Sequence, residues 1–198
     1  MNNVWNEVAM VKAFINKFAK SNYSSAELFF GISFWLMLIP PISAFFGTYY
    51  TGWSMNFEEP IRLSLVESVA ISIFYGLALI IGYLMMVFVI KWMSSVYAPN
   101  ATLRDAFAVT TVTTTPIMLA GIAHLYPSIL FHIIILSPIF ALSAYLLFAS
   151  IPVLLKTDYD KGIFMGCALF GFISTAGVSL LGISIISWVN GIGPNLGV

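Results

Sequence analysis

The 198-residue chain is 60% hydrophobic and 8% charged, with eight basic and eight acidic residues and a mean hydropathy of +0.98. A soluble domain carries about 25% charged residues, so this chain lacks the polar surface to stay in water. Its zero net charge offers no basic field for nucleic acid, and its single cysteine, Cys167, excludes an internal disulfide and any cysteine-rich metal centre. Long unbroken apolar runs call for helices, which close their own backbone hydrogen bonds in lipid; a β-barrel would show short stretches of alternating polarity. The expected fold class is all-α: a polytopic bundle forming one transmembrane domain over residues 27–198, preceded by an amphipathic segment over residues 1–26.

In that first segment Val4, Val8, Val11, Ile15 and Phe18 recur at helical spacing, with Lys12, Lys17 and Lys20 among the polar positions. The pattern predicts a helix lying on a membrane surface, with Trp5 at headgroup level. No short apolar core with a cleavage site marks it as a signal peptide. Apolar spans follow over residues 28–50 and 66–90. Residues 106–155 contain no Asp, Glu, Lys or Arg. That is too long for one crossing, which needs about 20 residues. The run divides at His124-Leu-Tyr-Pro-Ser128 into spans over 107–123 and 129–151. A fifth span covers 163–188 and ends in an uncharged tail over 190–198.

Five spans place Lys12, Lys17, Lys20, Lys91, Arg104, Lys156 and Lys161 on one side, leaving Arg62, beside Glu58 and Glu59, on the other. Basic residues stay in the cytoplasm, so the N-terminus is expected inside and the C-terminus in the periplasm. Trp92, Tyr97 and Tyr159 then mark the inner interface, and Tyr49, Tyr50, Trp53, Tyr126 and Trp188 the outer one. Asn22-Tyr-Ser and Asn100-Ala-Thr match the glycosylation pattern but fall on the cytoplasmic side and are discounted. Cys167 lies in an apolar run and reads as a packed, inert thiol.

Some residues invite a chemical reading. Thr110, Thr111, Thr113, Thr114 and Thr115 precede Pro116, which removes a backbone donor and frees a carbonyl about a turn upstream. These threonines either line a polar solute path or repair the bend and bond neighbouring helices. Pro40, Pro41 and Pro138 extend the set of expected kinks, which serve either a binding site or packing. Glu67, His124 and His132 all fall near the outer side. Together they suit a proton relay, a cation or zinc; separately they reach up to the headgroups. Met85, Met86, Met118 and Met165 are read as flexible core filler, because no Met-x-x-Met or Cys-x-x-Cys repeat supports copper. Gly162 and Gly166 permit close helix approach, at an internal or a dimer face. No phosphate loop, Gly-x-Ser-x-Gly or His-Glu-x-x-His is present, so the expectation is a non-enzyme without cofactor or assigned metal site.

Three stretches carry a resemblance. Ile39-Pro-Pro-Ile-Ser-Ala-Phe-Phe-Gly-Thr-Tyr-Tyr-Thr-Gly-Trp53 closes the first span, Thr115-Pro-Ile-Met-Leu-Ala-Gly-Ile-Ala-His-Leu-Tyr-Pro127 the third, and Tyr145-Leu-Leu-Phe-Ala-Ser-Ile-Pro152 the fourth. With the five-span layout they resemble the bacterial branch of the Yip1 domain family. The resemblance implies a bacterial inner-membrane location and a five-span fold, without a settled activity. Eukaryotic members act with Rab GTPases in vesicle trafficking through a long cytoplasmic region. Here one short helix stands in its place, so Rab-type GTPase binding is not expected. The partners expected are the lipid bilayer and either other proteins or further copies of the chain. Two functions compete: a membrane scaffold, adaptor or organising factor, and a small transporter or channel using the bent helices, the threonine track and the Glu67, His124 and His132 region.

Overall fold

The computed structural model describes residues 2–52 and 60–190, with side chains omitted for 2–10, 181, 184, 185 and 187–189. Trp53, Glu58, Glu59, the side chains of Trp5 and Trp188, and the tail beyond Asn190 therefore lie outside the described residues. The remainder is helical. Helix α1 (Asn2–Ala19) leads into a first span, Glu27–Thr51, built from a π-wound turn Glu27–Ser33, helix α2 (Phe34–Phe46) and a second π-wound turn Gly47–Thr51. Then come α3 (Leu65–Tyr97), α4 (Leu103–Ala120) with its 3-10 extension Gly121–Leu125, α5 (Ile129–Leu154) and α6 (Tyr159–Val189). Among the described residues five helices are long and apolar enough to cross a membrane.

Helix α3 runs past its expected end at residue 90 to Tyr97, and α4 starts a turn before residue 107; polar caps start both helices. Ser64 and Glu67 form a reciprocal capping box at α3, and Thr102 and Asp105 form another at α4. At the far end of α5, Lys156 takes a positive φ of 54° and Thr157 N–H donates to the Pro152 carbonyl at 3.2 Å. This is the left-handed helix stop that glycine usually provides. Helix α3, at about 1.5 Å per residue, is about 50 Å long and stands well clear of a hydrocarbon core of about 30 Å.

Large apolar side chains face outward along the bundle. Trp92 and Val96 are each 75% exposed and Phe74 is 73% exposed, which is tenable only against lipid. Since lipid is as apolar as leucine, close packing and hydrogen bonds must hold the spans together. Both are visible. Gly121 lies under Pro40, Gly162 against Pro152, and Gly166 against the Phe148 ring at a spacing that leaves no room for a Cβ. The glycines of α6 at 162 and 166 thus serve internal packing against α5. Ser33, Tyr83 and Thr111 form a buried triangle joining the first three spans: Ser33–Tyr83 3.0 Å, Ser33–Thr111 3.0 Å and Tyr83–Thr111 2.8 Å.

One end of the bundle is basic. Lys91 Nζ donates to the Ala101 carbonyl at 2.7 Å, and Thr157 Oγ1 donates to the Tyr97 carbonyl at 2.6 Å. Arg104 donates to the carbonyls of Ser21 at 2.6 Å, Tyr23 at 3.1 Å and Phe18 at 3.4 Å. It thereby caps the C-terminus of α1 from another helix. The amphipathic helix expected at the surface is α1, which docks on α4 and α5 with Ile15 buried while Lys12 and Lys17 stay exposed. Cys167 departs from expectation. It is exposed on the outer face of α6, because the Gly162 and Gly166 face turns inward. Met165 and Met118 are core residues, but Met85 faces outward.

Candidate functional site

At the end of the bundle opposite Arg104, a short connection folds α5 back beside α4. Pro127 forbids continuation of the 3-10 turn, and Ser128 starts α5. Two histidines eight residues apart are thereby brought face to face. His124 Nδ1 and His132 Nε2 are 2.7 Å apart, with ring centroids separated by 4.8 Å. His124 Nε2 lies 2.9 Å from the Tyr75 hydroxyl on α3, and His132 Nδ1 lies 2.7 Å from the Ser128 carbonyl.

The proton positions follow from the one member that cannot donate. Ser128 offers a carbonyl, so His132 Nδ1–H is the donor there. In a neutral ring His132 Nε2 is then an acceptor, so His124 Nδ1–H donates to it. His124 Nε2 is in turn an acceptor, and the Tyr75 hydroxyl donates to it. A single polarity runs from Tyr75 through both rings to Ser128.

The first span completes the wall. Gly47 lies directly on the His124 carbonyl and close to the Pro127 ring, so any side chain at Gly47 would strike backbone. Thr51 Oγ1 donates to the Leu125 carbonyl at 3.0 Å. Ala44, Thr48, Ile71, Ile129 and Ile133 join Tyr75 and the two histidines around a cavity of about 360 Å³. Three spans and a turn thus hold two imidazoles and a phenol at the edge of an apolar cavity.

Glu67 is engaged at the start of α3. Its carboxylate accepts from Ser64 N–H at 3.0 Å and from Ser64 Oγ at 2.6 Å, closing the first turn of α3. Among the described residues no three His, Cys, Asp or Glu side chains gather as a metal would need, so the zinc-type trio of Glu67, His124 and His132 is not assembled. Four of the five threonines of α4 are equally committed. Thr110 Oγ1 donates to the Ala106 carbonyl at 2.9 Å, Thr111 to Phe107 at 2.9 Å, Thr114 to Thr110 at 2.8 Å and Thr115 to Thr111 at 2.6 Å. Thr113 Oγ1 is buried without a hydrogen-bond partner among the described residues. Helix α4 continues through Pro116, the first span through Pro40 and Pro41, and α5 through the exposed Pro138.

Tyr75 was absent from the sequence expectations, as were Ser33 and Tyr83. The available signal was a phenol within an apolar run, which in lipid must find a partner.

A comparison of the sequence with family models matches residues 11–189 to the Yip1 domain. The chain belongs to the Yip1 domain family. Among characterised sequences this Yip1-domain chain is similar to the Inner membrane protein YohC of Escherichia coli strain K12. The two are 28% identical over 151 residues, covering 76% of this chain and 77% of that one. The Inner membrane protein YohC of Escherichia coli O6:H1 strain CFT073 matches to the same extent. No solved structure matches this Yip1-domain chain significantly.

Proposed function

We propose that this Yip1-domain chain is a non-enzymatic protein of the bacterial inner membrane that organises the membrane or its partners through its helical bundle and docked α1. One observation carries the reading: four of the five threonines of α4 spend their hydroxyls on the bundle itself. Four threonines of α4 bond carbonyls a turn upstream, and Ser33, Tyr83 and Thr111 bond one another. Such hydroxyls hold helices together and offer nothing to a passing solute. The location is carried over from the relatives' name, Inner membrane protein YohC.

The test is water access. In a Cys167→Ala background, Thr110→Cys and Thr113→Cys, buried positions that line neither cavity described for the bundle, are each treated in intact vesicles with a membrane-impermeant thiol reagent. The expected result is no labelling from either side. Labelling at both positions would replace this reading with a solute path.

A second reading, a small transporter or channel, rests on the Tyr75, His124 and His132 chain. A proton arriving at the Tyr75 oxygen would pass the Tyr75 proton to His124 Nε2 and the His124 Nδ1 proton to His132 Nε2, leaving Tyr75 and His124 neutral and His132 as the imidazolium. Three aligned groups of this kind can pass a proton by reorientation. Proteoliposomes under a pH gradient decide it. Proton uptake that His132→Ala abolishes and Glu67→Gln spares would favour transport.

A further inference from the structure

A larger cavity, about 760 Å³, lies at the basic end of the bundle. Its origin is topological. Among the described residues no Cα atoms of α2 and α5 come within 8 Å of each other; α4 packs against both, and α1 packs on α4 and α5. The walls are Ile32 and Leu36 from the first span, Val112 from α4, and Leu142 and Leu146 from α5. Leu142 is 40% exposed, so the groove opens sideways toward the membrane. Among the described residues lining it, Lys17 of α1 carries the only charge, and it stands at the mouth with Ser21 and Tyr23. Arg104, near that mouth, is turned to the backbone carbonyls of α1 and its connection, and to Asp105.

This arrangement has the polarity of an amphiphile in one leaflet: apolar walls at hydrocarbon depth and an ammonium at headgroup depth. The volume lies within the roughly 300–1,000 Å³ typical of small-molecule sites. We propose that the groove binds an anionic phospholipid, with one acyl chain against Val112 and Leu142 and the phosphate at Lys17. The charge selects among lipids, since a cation at the membrane surface favours anionic headgroups by about five-fold per lysine. Docking of α1 gives the site its roof, because Val11, Phe14 and Phe18 complete the lining. The lipid site holds whether or not the bundle passes a solute.

The experiment uses the full chain in vesicles of phosphatidylglycerol and phosphatidylcholine in equal parts. Each lipid in turn carries a photoreactive acyl chain, and cross-linked peptides are read by mass spectrometry. Phosphatidylglycerol is expected to cross-link to Val112 and Leu142 in preference to phosphatidylcholine. Lys17→Gln should reduce that yield about five-fold. Lys12→Gln, which removes the same charge from a residue of α1 outside the groove, should leave it nearly unchanged. Leu142→Trp should block both lipids by filling the groove. Equal yields from the two lipids would overturn the proposal. So would an equal effect of Lys12→Gln and Lys17→Gln, which would reduce Lys17 to general surface charge. Lys17 is exposed, so its variant remains a fair test even if Leu142→Trp does not fold.

Discussion

The bond between Tyr75 and His124 joins α3 to the turn after α4, and the bond between His124 and His132 joins that turn to α5. Removing one partner strands the next, and an unsatisfied polar group away from water costs about 1–3 kcal/mol. Tyr75→Phe is therefore expected to lower the unfolding temperature in detergent by less than His124→Ala, which strands both Tyr75 and His132. Intrinsic tryptophan fluorescence during heating would measure this, and equal effects would show that the three groups do not act as a chain. Glycines sort in the same way. Gly47→Ala would press a methyl into the His124 backbone, at a cost of about 1–3 kcal/mol for overpacking. Gly171 has open space around it, so Gly171→Ala should be neutral or mildly stabilising because alanine is the better helix former. The same heating assay separates the two; a neutral Gly47→Ala would refute the close contact.

Among the elements, α1 is held at the bundle's basic end by its buried Ile15 and by one polar anchor, Arg104. The planar guanidinium of Arg104 reaches three carbonyls and the Ser21 hydroxyl from α4. A lysine offers a point charge and cannot match that geometry. Arg104→Ala is expected to release the connection after α1, seen as faster limited proteolysis near Ser21 and Tyr23, with Arg104→Lys intermediate. Unchanged cleavage would mean that Ile15 and its neighbours hold α1 unaided. The triangle of Ser33, Tyr83 and Thr111 works between elements as well. Tyr83→Phe removes the donor to Thr111 and should cost about 0.6 kcal/mol, rising to about 1.7 at most for such bonds between membrane helices. Chemical unfolding in mixed micelles would register it. The element boundaries were largely legible in the sequence, because hydropathy is local. The extra turn at Leu103 was not, because the capping box made of Thr102 and Asp105 begins α4 in polar residues that hydropathy discards.

For the whole molecule, the testable quantity is orientation. Lys91, Arg104 and Lys156 gather at one end with the C-terminus of α1, which the positive-inside rule assigns to the cytoplasm. Single cysteines in a Cys167→Ala background check it. Lys12→Cys should label only from the cytoplasmic side, and Arg62→Cys only from the periplasmic side. Labelling of Arg62→Cys from within would overturn the five-span topology. Composition, apolar length and the placement of lysines determined on their own that the chain is a five-helix membrane bundle with a basic end, since each depends on transfer into lipid residue by residue. His124 and His132 were within reach of that reading because a short turn constrains which residues can meet across it. Their union with Tyr75, the closure of Thr111 onto Ser33 and Tyr83, the outward Cys167 and the groove beneath α1 were decided only by the tertiary structure. Each depends on the rotation of one helix about its axis relative to another. In a uniformly apolar span that rotation leaves little periodic trace, and the packing of Gly47, Gly121, Gly162 and Gly166 against their neighbours sets it.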